Sequence, residues 1–292
     1  MKKNVALVLG SGGARGVAHI GVINELIKQG YKITSISGTS MGALVGGMHA
    51  SGELKIFENW MRSLSKHDVF KLVDFTLSLN GIIKGNKVLK AMKNKVPDRK
   101  IEDLLISFTC VATDIINGKE IVFKRGSLYD AIRASISIPS VFMPFEKNGL
   151  KLVDGGVLNP IPIDKVKRND NDILVVVNAS SDKEYIKLPD KNISPKLEIK
   201  HNKYISRIQN SINNIIPSND KDKLGFYNLL SNTTSLMMQK VSQLTLEKFN
   251  PDILIEIPKK SFGTYEFYKS KEIIKFGVQT TKKSLGKYLE NS

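Results

Sequence analysis

Cysteine is almost absent from this 292-residue chain. The single Cys110 leaves no internal disulfide, and its run, ISFTCVAT, reads as a buried strand with an inert thiol. Histidine is scarce as well. His19, His49, His67 and His201 show no paired ligand spacing, so no metal site is expected. Long apolar runs are missing from the start of the chain: Met1-Lys2-Lys3-Asn4 leads into Val5 to Leu9, which stops at Gly10. Five residues are too few for a signal-peptide core or a membrane span, and a cytoplasmic location is the expectation. Acidic residues are the minority sign, 28 against 44 Lys and Arg, giving a formal charge of +16. No zinc-finger, RRM, KH or zipper signature accompanies that charge, so no nucleic-acid partner is expected. The lysines are spread through the chain beside many Asn and Ile, as a general compositional bias would leave them. The functional alternative is a basic face turned toward an anionic surface.

What the sequence does contain is glycine at decisive places. In ITSISGTSMGALVGG (Ile33 to Gly47) a short apolar run, Ile33 to Ser37, meets Gly38-Thr39-Ser40-Met41-Gly42. Apolar residues then recur at helical spacing (Met41, Leu44, Val45, Met48), which puts Ser40 in a strand-to-helix turn. A turn that sharp leaves no room for side chains at its flanks, hence Gly38 and Gly42. It exposes the hydroxyl beside unpaired amides of the new helix, where it can attack a carbonyl. Close packing of small residues is the alternative.

A second glycine cluster follows the strand Val5 to Leu9: Gly10-Ser11-Gly12-Gly13-Ala14-Arg15-Gly16, then a helix with Ile20, Ile23, Leu26 and Ile27 on one face. A nucleotide loop is excluded by register, because Gly10 and Gly12 call for a glycine at position 15, where Arg15 stands. No Lys-Ser/Thr pair follows either. Backbone amides of such a loop can instead converge on a developing negative charge, or the glycines can simply pack helix on strand. Parallel strands joined by a right-handed crossover bring both turns to one carboxyl edge of the sheet, so the two loops can face one reacting carbonyl.

With these residues in place, the chain resembles the patatin-like phospholipases, the small bacterial branch in particular. The resemblance rests on GSGGARG (Gly10 to Gly16), GTSMG around Ser40, ASISIPSVFMP (Ala134 to Pro144) and Asp154-Gly155-Gly156, in the family's order and spacing. It runs from Val5 to about Asn178 and resumes over Asp252 to Gly277. Gly10 stands where many relatives carry Asp, and Ser11 replaces a glycine. The resemblance implies a mainly parallel sheet between helices in a three-layer α/β architecture, and a serine acyl hydrolase acting on phospholipid or lysophospholipid esters. It implies Ser40 as nucleophile and Asp154 as base, an oxyanion hole from Gly12, Gly13 and Ala14, and support from Gly10, Arg15, Gly16, Gly38, Gly42, Gly155 and Gly156. It implies no cofactor. The partners would be a lipid ester and, transiently, an anionic membrane surface, with the protein peripheral to the inner face. Nothing in the sequence sets an oligomeric state.

The residues lean toward a dyad too. A Ser-acid-His order needs a histidine after Asp154, and the one available, His201, lies in the polar stretch EIKHNKYIS. His19 and His49 read as packing or solvent-facing residues. Arg15 can orient its loop or meet a phosphate. A non-catalytic lipid-binding or regulatory module on the same fold, or another serine acyl hydrolase such as a protease or thioesterase, are the alternatives.

Elsewhere, Gly52 to Arg99 reads as helical runs with apolar side chains beside Lys66, Lys71 and Lys84, a wall or lid for acyl chains if not plain core. Ile101 to Asp114, Ile121 to Phe123, Ile173 to Val177 and Ile253 to Ile257 read as strands. Helices are expected over Leu128 to Ser135, about Tyr227 to Phe249, and about Ser270 to Tyr288. A mobile polar insertion is expected over 181–225, inside a single domain of 1–292.

Overall fold

Val5 to Leu9 are all apolar because the strand they form is covered on both faces. In β1 (Asn4–Leu9), Val5, Leu7 and Leu9 enter one buried cluster and Ala6 and Val8 another. The computed structural model describes residues 3–78, 81–185 and 226–290. The chain divides into two units, 1–185 with 236–292, and 186–235. Of the second unit only 226–235 are described, and they are helical, so most of the polar insertion expected over 181–225 lies outside the described residues.

After β1 come a short 3-10 turn (Gly13–Val17), α1 (Ala18–Lys28), β2 (Lys32–Thr39), α2 (Met41–Ala50), α3 (Leu54–Ser63) and α4 (Lys66–Leu72). A hairpin, β3 (Phe75–Ser78) and β4 (Gly81–Ile83), leads to α5 (Asn86–Lys93), β5 (Ser107–Asp114), β6 (Lys119–Phe123) and α6 (Leu128–Ser135). Then follow β7 (Phe145–Lys147), β8 (Leu150–Asp154), β9 (Ile173–Ser181), α7 (Phe226–Phe249), β10 (Ile253–Pro258) and α8 (Ser270–Glu290).

The core of the main sheet is parallel, in the order β10-β9-β1-β2-β5, and β6, β8 and β7 add antiparallel pairings beyond it. One face is buried under α1, α2 and α8 through Ile20, Ile23, Met48 and Ile273. The other is covered by Ile161, Ile163 and Val166 with Leu246 and Phe249 of α7, which gives three layers. The chain leaves β1 toward β2 on one side and returns to β9 on the other. The crevice at the carboxyl ends of β1 and β9 is therefore the point where strand order reverses, the place such sheets reserve for ligands.

Strand β5 has a particular arrangement. Its residues 107–111 pair with β2, in parallel, and residues 112–114 pair with β8, antiparallel. Because β6 pairs with 110–114 of the same strand, β2 and β8 must share the opposite edge, end to end. Thr39 is in register with Val111 and Asp154 with Ala112, adjacent positions on one template.

The structure corrects three sequence expectations. The helical reading of 52–99 is interrupted by the β3–β4 hairpin, in which Ser78 pairs with Gly81. The strand expected from Ile101 begins only at Ser107, because Ile101–Asp103 close into a 3-10 turn. Ile27 does not join the buried face of α1, being 49% exposed. No helix among the described residues is long and apolar enough to cross a membrane.

Candidate active site

Ser40 sits between β2 and α2 with φ 57° and ψ −122°, a conformation that costs a non-glycine residue about 1–3 kcal/mol. Its flanks show why the turn needs glycine. A Cβ on Gly42 would lie 2.0 Å from the Leu9 carbonyl oxygen, and one on Gly38 would lie 2.6 Å from the Ala43 nitrogen. The strained peptide is held from outside: the Ser40 N–H donates to Ser135 Oγ at 2.8 Å. On the opposite face of β2 a row of hydroxyls from Ser35, Ser37 and Thr39 donates to the carbonyls of Lys167, Pro162 and Asn159, fastening the segment that follows Asp154.

Asp154 ends β8 and starts a 3-10 turn, Gly155–Val157. Its N–H donates to the Ser137 carbonyl at 2.9 Å, and its Oδ1 accepts from the Gly156 N–H at 2.7 Å. Its Oδ2 accepts the Ser40 hydroxyl at 2.5 Å, across 114 positions of sequence. Ser40 is 4% exposed and Asp154 3%. Burial raises the Asp154 carboxyl from 3.8 to about 6, against the opposing pull of the Ser40 hydroxyl and the Gly156 N–H. Gly155 passes against β5, where a Cβ would lie 2.3 Å from the Val111 carbonyl oxygen. A Cβ on Gly156 would be 2.4 Å from Met238 Cε, 3.0 Å from Asp154 Oδ1 and 3.3 Å from Ser11 Oγ, so α7 and the glycine loop both reach this turn.

The glycine loop lies alongside. The Gly10 N–H donates to Val177 O and the Ser11 N–H to Pro160 O, both at 2.9 Å. The Ala14 N–H donates to the Thr264 carbonyl at 2.8 Å, so it is engaged and leaves the donor set that the sequence suggested. Among the described residues the N–H groups of Gly12 and Gly13, at the open end of the 3-10 turn, meet no acceptor. Gly13 has φ +54°. Arg15 is a brace: Nε donates to Ala179 O, Nη1 to Phe262 O and Nη2 to Ser180 Oγ, at 3.1, 3.1 and 3.2 Å. Those bonds orient the loop against β9. At Gly16 a Cβ would lie 2.6 Å from Met41 Cβ, so this glycine lets the first turn of α2 dock on the loop.

The histidines are placed differently. His19 is fully buried and its Nε2–H donates to the Gly10 carbonyl at 2.8 Å. Burial lowers its pKa to about 4, so the ring is neutral. His49 is half-buried and is likewise pushed down by burial. His201 lies outside the described residues. No group of three His, Cys, Asp or Glu among the described residues could hold a metal ion.

Ser135 and Ser137 were missed as site residues although they lie inside the ASISIPSVFMP block. Their spacing of two, on the tail of α6, lets one hold the amide of Ser40 and the other the amide of Asp154. The assembly can deliver a hydroxyl already bonded to a buried carboxylate and two unpaired amides at a helix entrance.

A family model described as patatin-like phospholipase matches residues 7–167. An uncharacterised NTE family protein of Mycobacterium tuberculosis is 32% identical, over 94% of this chain and 89% of its own. The lysophospholipase NTE1 of Saccharomyces cerevisiae is 31% identical over 61% of this chain and 11% of its own. Among solved structures, VipD from Legionella pneumophila matches at a TM-score of 0.49 and 13% identity, covering 98% of this chain and 67% of its own.

Proposed function

This chain belongs to the patatin-like phospholipase family, a family of lipid acyl hydrolases, and from that premise we propose that it cleaves carboxylic esters of phospholipids or lysophospholipids through Ser40 and Asp154. The observation that carries the reading is the buried 2.5 Å bond from the Ser40 hydroxyl to Asp154 Oδ2. Asp154 takes the hydroxyl proton as Ser40 Oγ attacks the acyl carbonyl. The tetrahedral oxyanion is held by the N–H groups of Gly12 and Gly13. Collapse expels the alcohol portion of the lipid, which receives the proton from Asp154, and leaves an acyl ester on Ser40. Water then attacks that ester with Asp154 as base, releasing the fatty acid and restoring the serine. A carboxyl raised to about 6 suits both duties, since it is ionised at neutral pH yet more basic than an exposed aspartate. No step requires a cofactor.

The substrate lies in bilayers, and an anionic surface would suit this chain. Its formal charge is +16, and Lys84, Lys87 and Lys90 stand exposed on and beside α5.

The test combines fluorophosphonate labelling with hydrolysis of a lipid extract read by mass spectrometry. Wild type is expected to label at Ser40 and to release fatty acids and lysolipids, whereas Ser40→Ala does neither. A wild type that neither labels nor turns over any lipid class would favour a non-catalytic lipid-binding module, and turnover on thioesters alone would move the assignment to a thioesterase.

A further inference from the structure

Arg133 is, among the described residues, the one Lys or Arg that is buried, at 5% exposure near the end of α6. Among the described residues no carboxylate is within ion-pair reach of it. Its partners are neutral: Nη1 donates to Ser137 Oγ, and Nη2 donates to the carbonyls of Lys84 at 2.7 Å and Met143 at 3.0 Å. The rings of Phe142 and Phe145 lie against the guanidinium, with centroids 6.0 and 5.7 Å away. Burial without a counter-ion pushes the guanidinium below its usual range, with Asp74 alone pulling it back up. A desolvated charge with only neutral acceptors is a costly feature, tolerated where it fixes a geometry.

The geometry it fixes leads to the dyad. Ser137 accepts from Arg133 at Oγ, returns its own hydroxyl proton to the Arg133 carbonyl at 2.6 Å, and uses its carbonyl to receive the Asp154 N–H. On the other side, Lys84 is the first residue after the β3–β4 hairpin, and its N–H donates to the Asp74 carbonyl at 3.0 Å. The Asp74 carboxylate is taken up by the N–H groups of Gly85, Asn86 and Lys87 at 2.7, 2.8 and 3.2 Å. Gly85 has φ +78°, and a Cβ there would lie 3.3 Å from Arg133 Nε and 3.1 Å from the Phe142 ring. Glycine is needed for the turn to seat on the guanidinium.

We infer that Arg133 is a positioning residue for Asp154, and that through it the aim of the base depends on how the 84–86 turn is seated. The inference rests on the proposed dyad. If the turn lifts, Nη2 loses an acceptor, the guanidinium shifts, and Ser137 shifts with it, carrying the amide of Asp154. The segment concerned bears exposed lysines, so contact of that surface with a lipid interface would be felt at the carboxylate.

Two variants test this on one soluble ester, with Ser40→Ala and Asp154→Asn as controls and folding followed by circular dichroism and Tm. Arg133→Lys keeps the charge but not the planar fork. Gly85→Ala adds one methyl group facing Arg133 and touches neither dyad residue. Each is expected to lower kcat about ten- to a hundredfold with little change in KM, the scale that displacement of a reacting group by about 1 Å produces. Each should also move the acid limb of the kcat–pH profile upward, because the Ser40 hydrogen bond, with the Gly156 N–H, is what holds the carboxyl down. The double variant should lose no more than the worse single one, since both act through one link. A folded Arg133→Lys with wild-type kcat and acid limb overturns the inference, and so does a drop in Tm with both unchanged. Should Arg133→Lys fail to fold, Gly85→Ala decides alone by the same readouts. If the controls keep full turnover, it is the dyad reading that fails.

Discussion

The carboxylate that the proposed chemistry requires should destabilise the folded protein at neutral pH, and Asp154→Asn measures by how much. Burial raises the folded-state pKa from 3.8 to about 6, and each unit corresponds to about 1.36 kcal/mol, so ionising this group in place costs about 3 kcal/mol. The sign follows from the raised value. Well below 3.8, by about pH 3, both folded and unfolded states hold the proton and no penalty exists. As pH rises from about 4 to about 6 the unfolded chain ionises first, and stability falls until the folded-state group has titrated too. Asparagine carries no such dependence, and its amide can still bond to the Ser40 hydroxyl and accept from Gly156. Urea unfolding of both proteins at about pH 3 and about pH 7.5 isolates the effect, because a constant offset from the new amide cancels in the difference. The stability of the variant relative to wild type should rise by about 3 kcal/mol between the two conditions, while its ester hydrolysis falls by several orders of magnitude. Identical pH dependence in the two proteins would refute the view that this carboxyl is desolvated, and with it the account of why it is basic enough to act.

Wild-type kcat should lose activity on acidification through about pH 6, and a profile that stays flat down to about pH 4.5 would contradict the role of Asp154 as base. Gly13→Ala places a Cβ 2.7 Å from Thr264 Cγ2 at a φ of +54°, so it should displace the loop rather than plug it, and kcat should fall about 100- to 1,000-fold if one oxyanion donor is lost. Near-normal turnover of the folded variant would shift the donors elsewhere. Ser135→Ala removes the acceptor of the buried Ser40 N–H, which should cost about 1–3 kcal/mol in unfolding free energy and lower kcat; a variant matching wild type in both would show that the amide finds another partner. Sedimentation with vesicles should favour anionic over neutral lipid and weaken with salt, because screening at physiological strength acts over about 8 Å. Equal, salt-insensitive binding would return the +16 charge to composition.

The serine turn, the glycine loop and the central strands were legible because each is a local device. An apolar run that ends in glycines and resumes at helical spacing can be one thing only in outline, and Val5 to Leu9 with Gly10 to Gly16 carries that outline in twelve residues of continuous chain. Asp154 was legible as a carboxylate between an apolar run and two glycines. The partners that hold these groups were not, because they are set by pairings between segments far apart in sequence. Nothing local to Leu150–Asp154 says that it will pair antiparallel with the end of β5, and nothing local to Ser135 says that its hydroxyl will meet the amide of residue 40. The Ala14 amide illustrates the same limit from the other side: its engagement depends on Thr264, two hundred and fifty positions onward in the fold. Arg15 read equally well as a loop brace or a phosphate contact until Ala179, Ser180 and Phe262 supplied its acceptors.

The end-to-end meeting of β2 and β8 on β5 has a consequence for how such a chain can change. The distance between the serine and the aspartate is set by two consecutive rungs of one ladder, Val111 and Ala112, and not by the length of the chain that joins them. Outside the turn from Asp74 to Lys87 that seats Arg133, loops between positions 51 and 73 or between 94 and 106 can grow, shrink or be exchanged while the spacing of the reacting pair stays as it is. A single residue inserted within β5 would do the reverse. It would slide one strand against its neighbours, turn the faces of everything beyond it, and part the two groups without touching either.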